Sequence, residues 1–303
     1  MKPLSRRTFL AASTSAVVLA ACGNDSGGGS ATANTSAGGT IDLDNVKPGK
    51  YDIGSRFAPG THVSGVPNQR IPVVLINTSD QSAVSKGPDT FTAQLSLAGE
   101  AKGAPITFTR RQEGIPAPYW VASATFDEPG TWDILATFPD GSQAVKALSV
   151  LGPEANLIPT IGSKLVSVDT PTVASAQGVN PICTASPQCP LHSVSLSEAM
   201  AAGKPIALLI GTPAYCQTGI CGPVLDLLVA EQKNYAGKIE MIHAEVYTKA
   251  YTGADTPTTL AVEQYHLTFE PYLVVADATG TIVARLDAIW DADELKSSLD
   301  LIS

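Results

Sequence analysis

The chain has 303 residues, 44% of them hydrophobic and 16% charged, and carries a net charge of −9. That length exceeds one ordinary hydrophobic core and predicts two domains, and the composition excludes wholesale disorder. The acidic balance, with no basic run beyond the first seven residues, lacks the cationic footprint of a nucleic-acid binder. No apolar run reaches the roughly 20 residues of a membrane-spanning helix.

The start of the chain reads as an address and not as fold. Lys2, Arg6 and Arg7 precede a short apolar stretch, rich in Ala and Ser, from Phe9 to Ala21. Ser5-Arg6-Arg7-Thr8-Phe9-Leu10 resembles the twin-arginine export motif, and Leu19-Ala20-Ala21-Cys22 resembles a bacterial lipobox. The resemblance implies a signal peptide over 1–21, cleavage before Cys22 and a lipid on that cysteine. It implies a lipoprotein on the extracytoplasmic face of a bacterial membrane. Residues 22–56 are then expected to be a flexible tether, small and polar through 23–40.

From 57 to 152 the pattern is β. Runs at 70–77, 90–97, 105–109, 120–126, 131–138 and 143–150 are bounded by Gly, Pro, Asp and Asn. Trp120, Ala122, Ala124 and Phe126 share one strand face, and Trp132, Ile134, Ala136 and Phe138 share another. Several short strands at this spacing predict an all-β immunoglobulin-like sandwich. It holds no cysteine, so its closure rests on apolar packing.

Residues 153–194 read as a Pro-containing connection that carries Cys183 and Cys189. From 195 to 303 apolar runs alternate with helical spacing. Helices are expected at 195–203, 225–231, 258–266 and 292–301, and strands at 205–211, 238–246, 272–276 and 282–286. After the first helix the order is β-α-β-α-β-β-α.

With Cys22 assigned to the lipid, four cysteines remain, and Cys216 and Cys221 fall between the first of these strands and its helix, in Thr-Pro-Ala-Tyr-Cys-Gln-Thr-Gly-Ile-Cys-Gly-Pro. That placement resembles the thioredoxin fold over roughly residues 190–303. The resemblance implies an α/β thioredoxin-like domain in which Cys216 is the nucleophile and Cys221 resolves the mixed disulfide. It implies that Pro271, commonly cis in the family, faces the pair. The activity implied is thiol–disulfide exchange with extracytoplasmic proteins that carry thiols or disulfides, with no cofactor. The chain departs from the family in three ways. Its spacing is C-x4-C, Tyr215 stands where a Trp is usual, and the strand 206–211 contains no acid.

The spacing has a geometric consequence. Residues five apart on a helix are separated by a rise of about 7.5 Å, whereas a disulfide needs Cα atoms within about 7 Å. Either 217–220 stays a turn, helped by Gly219, or oxidation unwinds the start of a helix; the regular helix is expected from about Pro223.

Two rival readings stand beside exchange. Some peroxiredoxins use a C-x4-C pair preceded by Thr-Pro, but Thr212 lies four residues before Cys216 where that motif wants three, and Arg285 is the only arginine in 195–303. The other rival is a non-catalytic binding or assembly lipoprotein, copper handling included, whose cysteine pairs are struts. Cys183 and Cys189 read as a structural disulfide closing their loop, as a second redox relay, or as a metal site with His192. His62, His243 and His266 lie scattered along the chain, and no metal-ligand set is assigned.

Overall fold

The protein is described from a computed structural model over residues 39–303; the expected signal peptide, Cys22 and most of the expected tether lie outside the described residues. Eight strands come first. They are β1 (Tyr51–Ser55), β2 (His62–Val63), β3 (Gln69–Asn77), β4 (Thr90–Leu97), β5 (Glu100–Arg111), β6 (Tyr119–Ala124), β7 (Gly130–Thr137) and β8 (Gln143–Leu151). They form one sheet in the order β1-β3-β6-β5-β4-β7-β8-β2, antiparallel throughout except where β2 runs parallel to β8.

The sheet curls, so that β1 packs against β8. Just ahead of β1, the Lys47 carbonyl accepts the Gln143 amide N–H at 2.6 Å. The curl encloses an apolar core in which Phe91 stacks on Phe108 with centroids 4.8 Å apart and Trp132 meets Phe126 edge-on. Strand alternation decides who enters it: Trp132, Ile134 and Ala136 point in from β7, and the residues between them are partly exposed. Both indoles of this core find an acceptor, Trp120 on the Pro88 carbonyl at 2.7 Å and Trp132 on that of Glu128 at 3.0 Å.

The stretch expected as tether ends earlier than residue 56. Ile41 N–H donates to the Gly99 carbonyl, and β1 pairs with β3 along its whole length. Only Ile53 of β1 is buried, so its sequence carries almost no alternation signal. β5 is likewise longer than the expected 105–109, because Phe108 is its one buried residue.

The second half contains α1 (Leu196–Ala201), β9 (Ile206–Ile210), α2 (Cys221–Glu231), β10 (Glu240–Ala244), α3 (Leu260–Gln264), β11 (Tyr272–Ala276), β12 (Ile282–Asp287) and α4 (Ala292–Leu299). Its four strands are ordered β10-β9-β11-β12; β10 is parallel to β9, and the other pairs are antiparallel. The inner strands are buried on both faces, which is why β9 and β11 read as unbroken apolar runs. Ala207, Leu209, Leu273 and Val275 face α2 and α4, while Leu208, Ile210, Val274 and Ala276 face α1 and α3.

Local chemistry starts the helices where the sequence suggests. Ser195 and Glu198 form a reciprocal capping box on α1, and the Asp291 side chain caps α4 by accepting Glu294 N–H. The connection 153–194 is laid onto the sheet and is no spacer. Ile158, Leu165 and Val168 join the core on the α1/α3 face, and Lys164 bridges to Thr281.

The residues on either side of this connection belong to one compact unit. Ile115 and Tyr119 of the first half enter the core that α2 and α4 cover. Beside them Arg70 forms a buried ion pair with Glu294, at 2.7 Å, and the Tyr119 hydroxyl donates to the same carboxylate. Burial alone would push the Glu294 carboxyl up, but the Arg70 guanidinium and these hydrogen bonds hold it below the ordinary value.

Candidate functional site

Residues 212–220, between β9 and α2, contain no helix: they form turns up to Ile220, and α2 begins at Cys221, two residues before the expected Pro223. Gly219 makes this possible with φ +67°, a conformation that costs a side-chain-bearing residue about 1–2 kcal/mol. Cys216 is half-buried at the mouth of the turn, Cys221 is 1% exposed beneath it, and their sulfurs, not joined in this structure, lie 2.6 Å apart.

α2 has no side-chain cap of the usual kind. Cys216 Sγ takes that place, accepting the Cys221 amide N–H at 3.4 Å. The Cys221 thiol also donates to Cys216 Sγ, and the Thr218 hydroxyl lies 3.3 Å from the same sulfur. These donors favour a thiolate and outweigh burial, so the Cys216 thiol is lowered to about 5, the Cys221 hydrogen bond being the largest cause. Cys221 is pushed the opposite way, first by donating to Cys216 and then by burial.

An acid stands at this pair, supplied by the segment ahead of β11 and not by the strand 206–211. β11 pairs antiparallel with β9, Tyr272 opposite Ile210. Continued by two residues, that register brings Glu270 opposite Thr212, whose amide N–H donates to Glu270 Oε2 at 2.8 Å. A carboxylate oxygen of Glu270 and both cysteine sulfurs lie within 4.8 Å of one another. Burial, and then the charge of Cys216, raise the Glu270 carboxyl to about 7. The next peptide bond, Glu270–Pro271, is cis. Pro271 reaches the pair through Gly211, where an added Cβ would stand 3.5 Å from Pro271 Cβ and 3.7 Å from Cys221 Sγ.

A groove of about 350 Å³ opens beside Cys216, floored by apolar side chains that include Val262, Leu267 and Phe269. Tyr247 lines it and packs at a tilt against Tyr251, with ring centroids 4.9 Å apart, and Tyr215 packs against both. Arg285 lies apart from the pair: its guanidinium is taken by Asp287 and by the carbonyls of Pro159 and Thr61.

The other cysteine pair lies behind Gly211. The loop 183–192 covers the open edge of β10, with His243 N–H donating to the Leu191 carbonyl at 3.0 Å. Cys183, Cys189, His192 and His243 are all buried there, their four donor atoms within 4.8 Å of one another. So His243, which the sequence scattered, belongs with this pair. In an apolar strand it reads as one more core position; its alternation with Met241, on the α2/α4 face, is the signal that could have found it. His62 lies elsewhere, bonded to the Arg70 carbonyl, and His266 is exposed at the end of α3. Cys183 is held low, first by its hydrogen bond with Cys189 and also by the two imidazoles, while Cys189 is pushed up.

No family model and no curated protein matches the chain. Among solved structures, one titled DsbH oxidoreductase is 17% identical; the match covers 48% of this chain and 94% of that one, at a TM-score of 0.23.

Proposed function

We propose that this chain is an extracytoplasmic thiol–disulfide oxidoreductase, lipid-anchored through Cys22, in which an immunoglobulin-like β half accompanies a thioredoxin-like α/β half. The observation that carries the activity is the pairing of a half-buried, low-pKa Cys216 with a buried Cys221 at the start of α2, beside the Glu270 carboxylate. Support for the fold reading comes from the strand order β10-β9-β11-β12, its single parallel pair, and a Pro at the head of β11.

The chemistry follows from the two cysteines' opposite states. The Cys216 thiolate attacks one sulfur of a partner's disulfide, and the partner's other sulfur leaves as a thiolate. Cys221 then gives its proton to Glu270 and attacks Cys216 Sγ, and the partner's first sulfur leaves as a thiolate in turn. Two electrons have passed to the partner, and Cys216 and Cys221 are joined; the reverse sequence oxidises a dithiol. Partners are protein segments that expose a disulfide or thiol. The apolar groove and the tyrosines around Cys216 suit the backbone and side chains flanking such a cysteine.

The test is single-turnover reduction of a model protein disulfide by stoichiometric reduced chain. Wild type should reduce it, Cys216→Ser should abolish activity, and Cys221→Ser should arrest as a mixed disulfide on Cys216. Rapid consumption of hydrogen peroxide with protein disulfides left intact would overturn the reading.

A further inference from the structure

We propose that Cys183, Cys189, His192 and His243 form a buried tetrahedral zinc site, separate from the Cys216/Cys221 pair. The four donors come from a loop and a strand that are distant in sequence and meet because the loop covers the edge of β10. Their tautomers are constrained. His243 Nε2 lies 3.0 Å from the Gly211 carbonyl, which can only accept, so Nε2 carries the proton and Nδ1 presents a lone pair. That lone pair faces Cys189 Sγ at 3.4 Å, Cys183 Sγ at 3.7 Å and His192 Nε2 at 3.2 Å. The Gly211 carbonyl thus gives His243 the outer partner that orients a metal-bound imidazole. His192 Nδ1 is buried with no hydrogen-bond partner among the described residues, where all polar contact of that ring is with the cluster.

The three edges that meet at His243 Nδ1 match the ion. With Zn–S of about 2.3 Å and Zn–N of about 2.0–2.1 Å, a regular tetrahedron sets its nitrogens about 3.4 Å apart and its sulfur–nitrogen edges at about 3.6 Å. The structure has 3.2 Å for the first and 3.4 and 3.7 Å for the second. Two thiolates and two neutral imidazoles around one Zn2+ sum to zero charge, which suits a site with no exposed member. Loading exchanges two thiol protons for the ion, and no electron moves. Two sulfurs and two nitrogens in a closed tetrahedron favour zinc over the hard, oxygen-seeking cations. A route in exists, since Cys189 lines a surface groove of about 370 Å³.

A disulfide between Cys183 and Cys189 would remove both thiolates, so the site requires that pair reduced. The experiment uses the full chain carrying Cys216→Ser and Cys221→Ser, reduced with a phosphine under anaerobic conditions and titrated with zinc chloride and, separately, cobalt(II). The expected result is one equivalent of zinc per chain and, with cobalt, the visible bands of a tetrahedral ion plus thiolate-to-metal charge transfer. Adding His243→Ala should weaken zinc by at least about a hundredfold. Failure of the reduced chain to take up zinc overturns the proposal, and so does a cobalt spectrum without thiolate charge transfer. Both readings come from a chain that keeps all four proposed ligands, so they hold even if His243→Ala does not fold. Because the background lacks the exchange cysteines, either result leaves the oxidoreductase reading where it was.

Discussion

The Thr212 amide and the Glu270 carboxylate meet at 2.8 Å, and this bond ties the loop ahead of the cysteines to the residue before Pro271. Thr212 is fully buried, so the carboxylate has limited contact with water and its pKa rises to about 7, burial being the larger cause and the Cys216 charge the next. Proton traffic at the pair is thereby set near neutrality.

Resolution of a mixed disulfide should therefore quicken as pH rises through the value of the Glu270 carboxyl, which burial still holds above the ordinary 4.5 and which drops below about 7 once Cys216 is bonded and uncharged. Above it Glu270 is the ionised acceptor for the Cys221 proton. Glu270→Gln should remove that rise and slow resolution about a hundredfold. Stability runs the other way. The folded form holds a proton that the unfolded chain, near the ordinary value of 4.5, has released, so this group's contribution falls as pH rises from about 4.5 to about 7. Melting temperatures across that window should decline less in Glu270→Gln than in wild type. An unchanged pH profile for resolution would remove Glu270 from the mechanism.

Cys216 should be the only fast-reacting thiol among residues 39–303 of the native reduced protein. Lowered to about 5, it should alkylate at a rate that is flat above about pH 6 and falls below pH 5, while Cys221, 1% exposed, stays unmodified. Removing the largest donor with Cys221→Ala, or the hydroxyl with Thr218→Val, should move the midpoint upward, the former more. Peptide mapping after brief iodoacetamide treatment reads this out.

The fold was legible where apolar runs were long and sharply bounded. The run 272–276, between Pro271 and Asp277, became β11 with both ends as expected, and 90–97 became β4. Legibility failed where burial was one-sided and sparse, as in β1, and where the site depended on register. Glu270 carried no local sign of a role, since nothing in its neighbours shows that β11 runs antiparallel to β9 and carries it to Thr212. The two cysteine pairs were evident at once; that His243 closes one of them needed the pairing of β10.

The ion pair between the two halves should dominate their coupling. Arg70 and Glu294 are largely but not fully buried, at 13% and 12% side-chain exposure, so Glu294→Ala strands a guanidinium and should cost up to about 3 kcal/mol. The Glu294 carboxyl is depressed on balance, so its contribution is present above the ordinary value of 4.5 and is lost as pH falls through the lower folded value. Denaturant unfolding of wild type and Glu294→Ala at neutral and acid pH should show a gap that narrows in acid. A constant gap would mean that packing and not charge holds this contact.

The turn from Cys216 to Ile220 should persist in both redox forms. It is fixed by Gly219 N–H donating to the Cys216 carbonyl at 3.0 Å and by the Cys221 amide on Cys216 Sγ, and it already sets the two sulfurs 2.6 Å apart. Closing a bond between these sulfurs then needs no unwinding, because α2 starts only at Cys221. Amides of 217–220 should exchange equally with solvent before and after oxidation, while those of 224–231 remain protected in both. Gly219→Ala isolates the conformational demand, since an added Cβ meets nothing within 4 Å and only the φ of +67° opposes it. It should lower stability by about 1–2 kcal/mol and slow bond closure, with α2 itself unchanged. Strong protection of 217–220 in the reduced form alone would mean that α2 extends back to Cys216 when the thiols are free, and the turn would then be a product of oxidation.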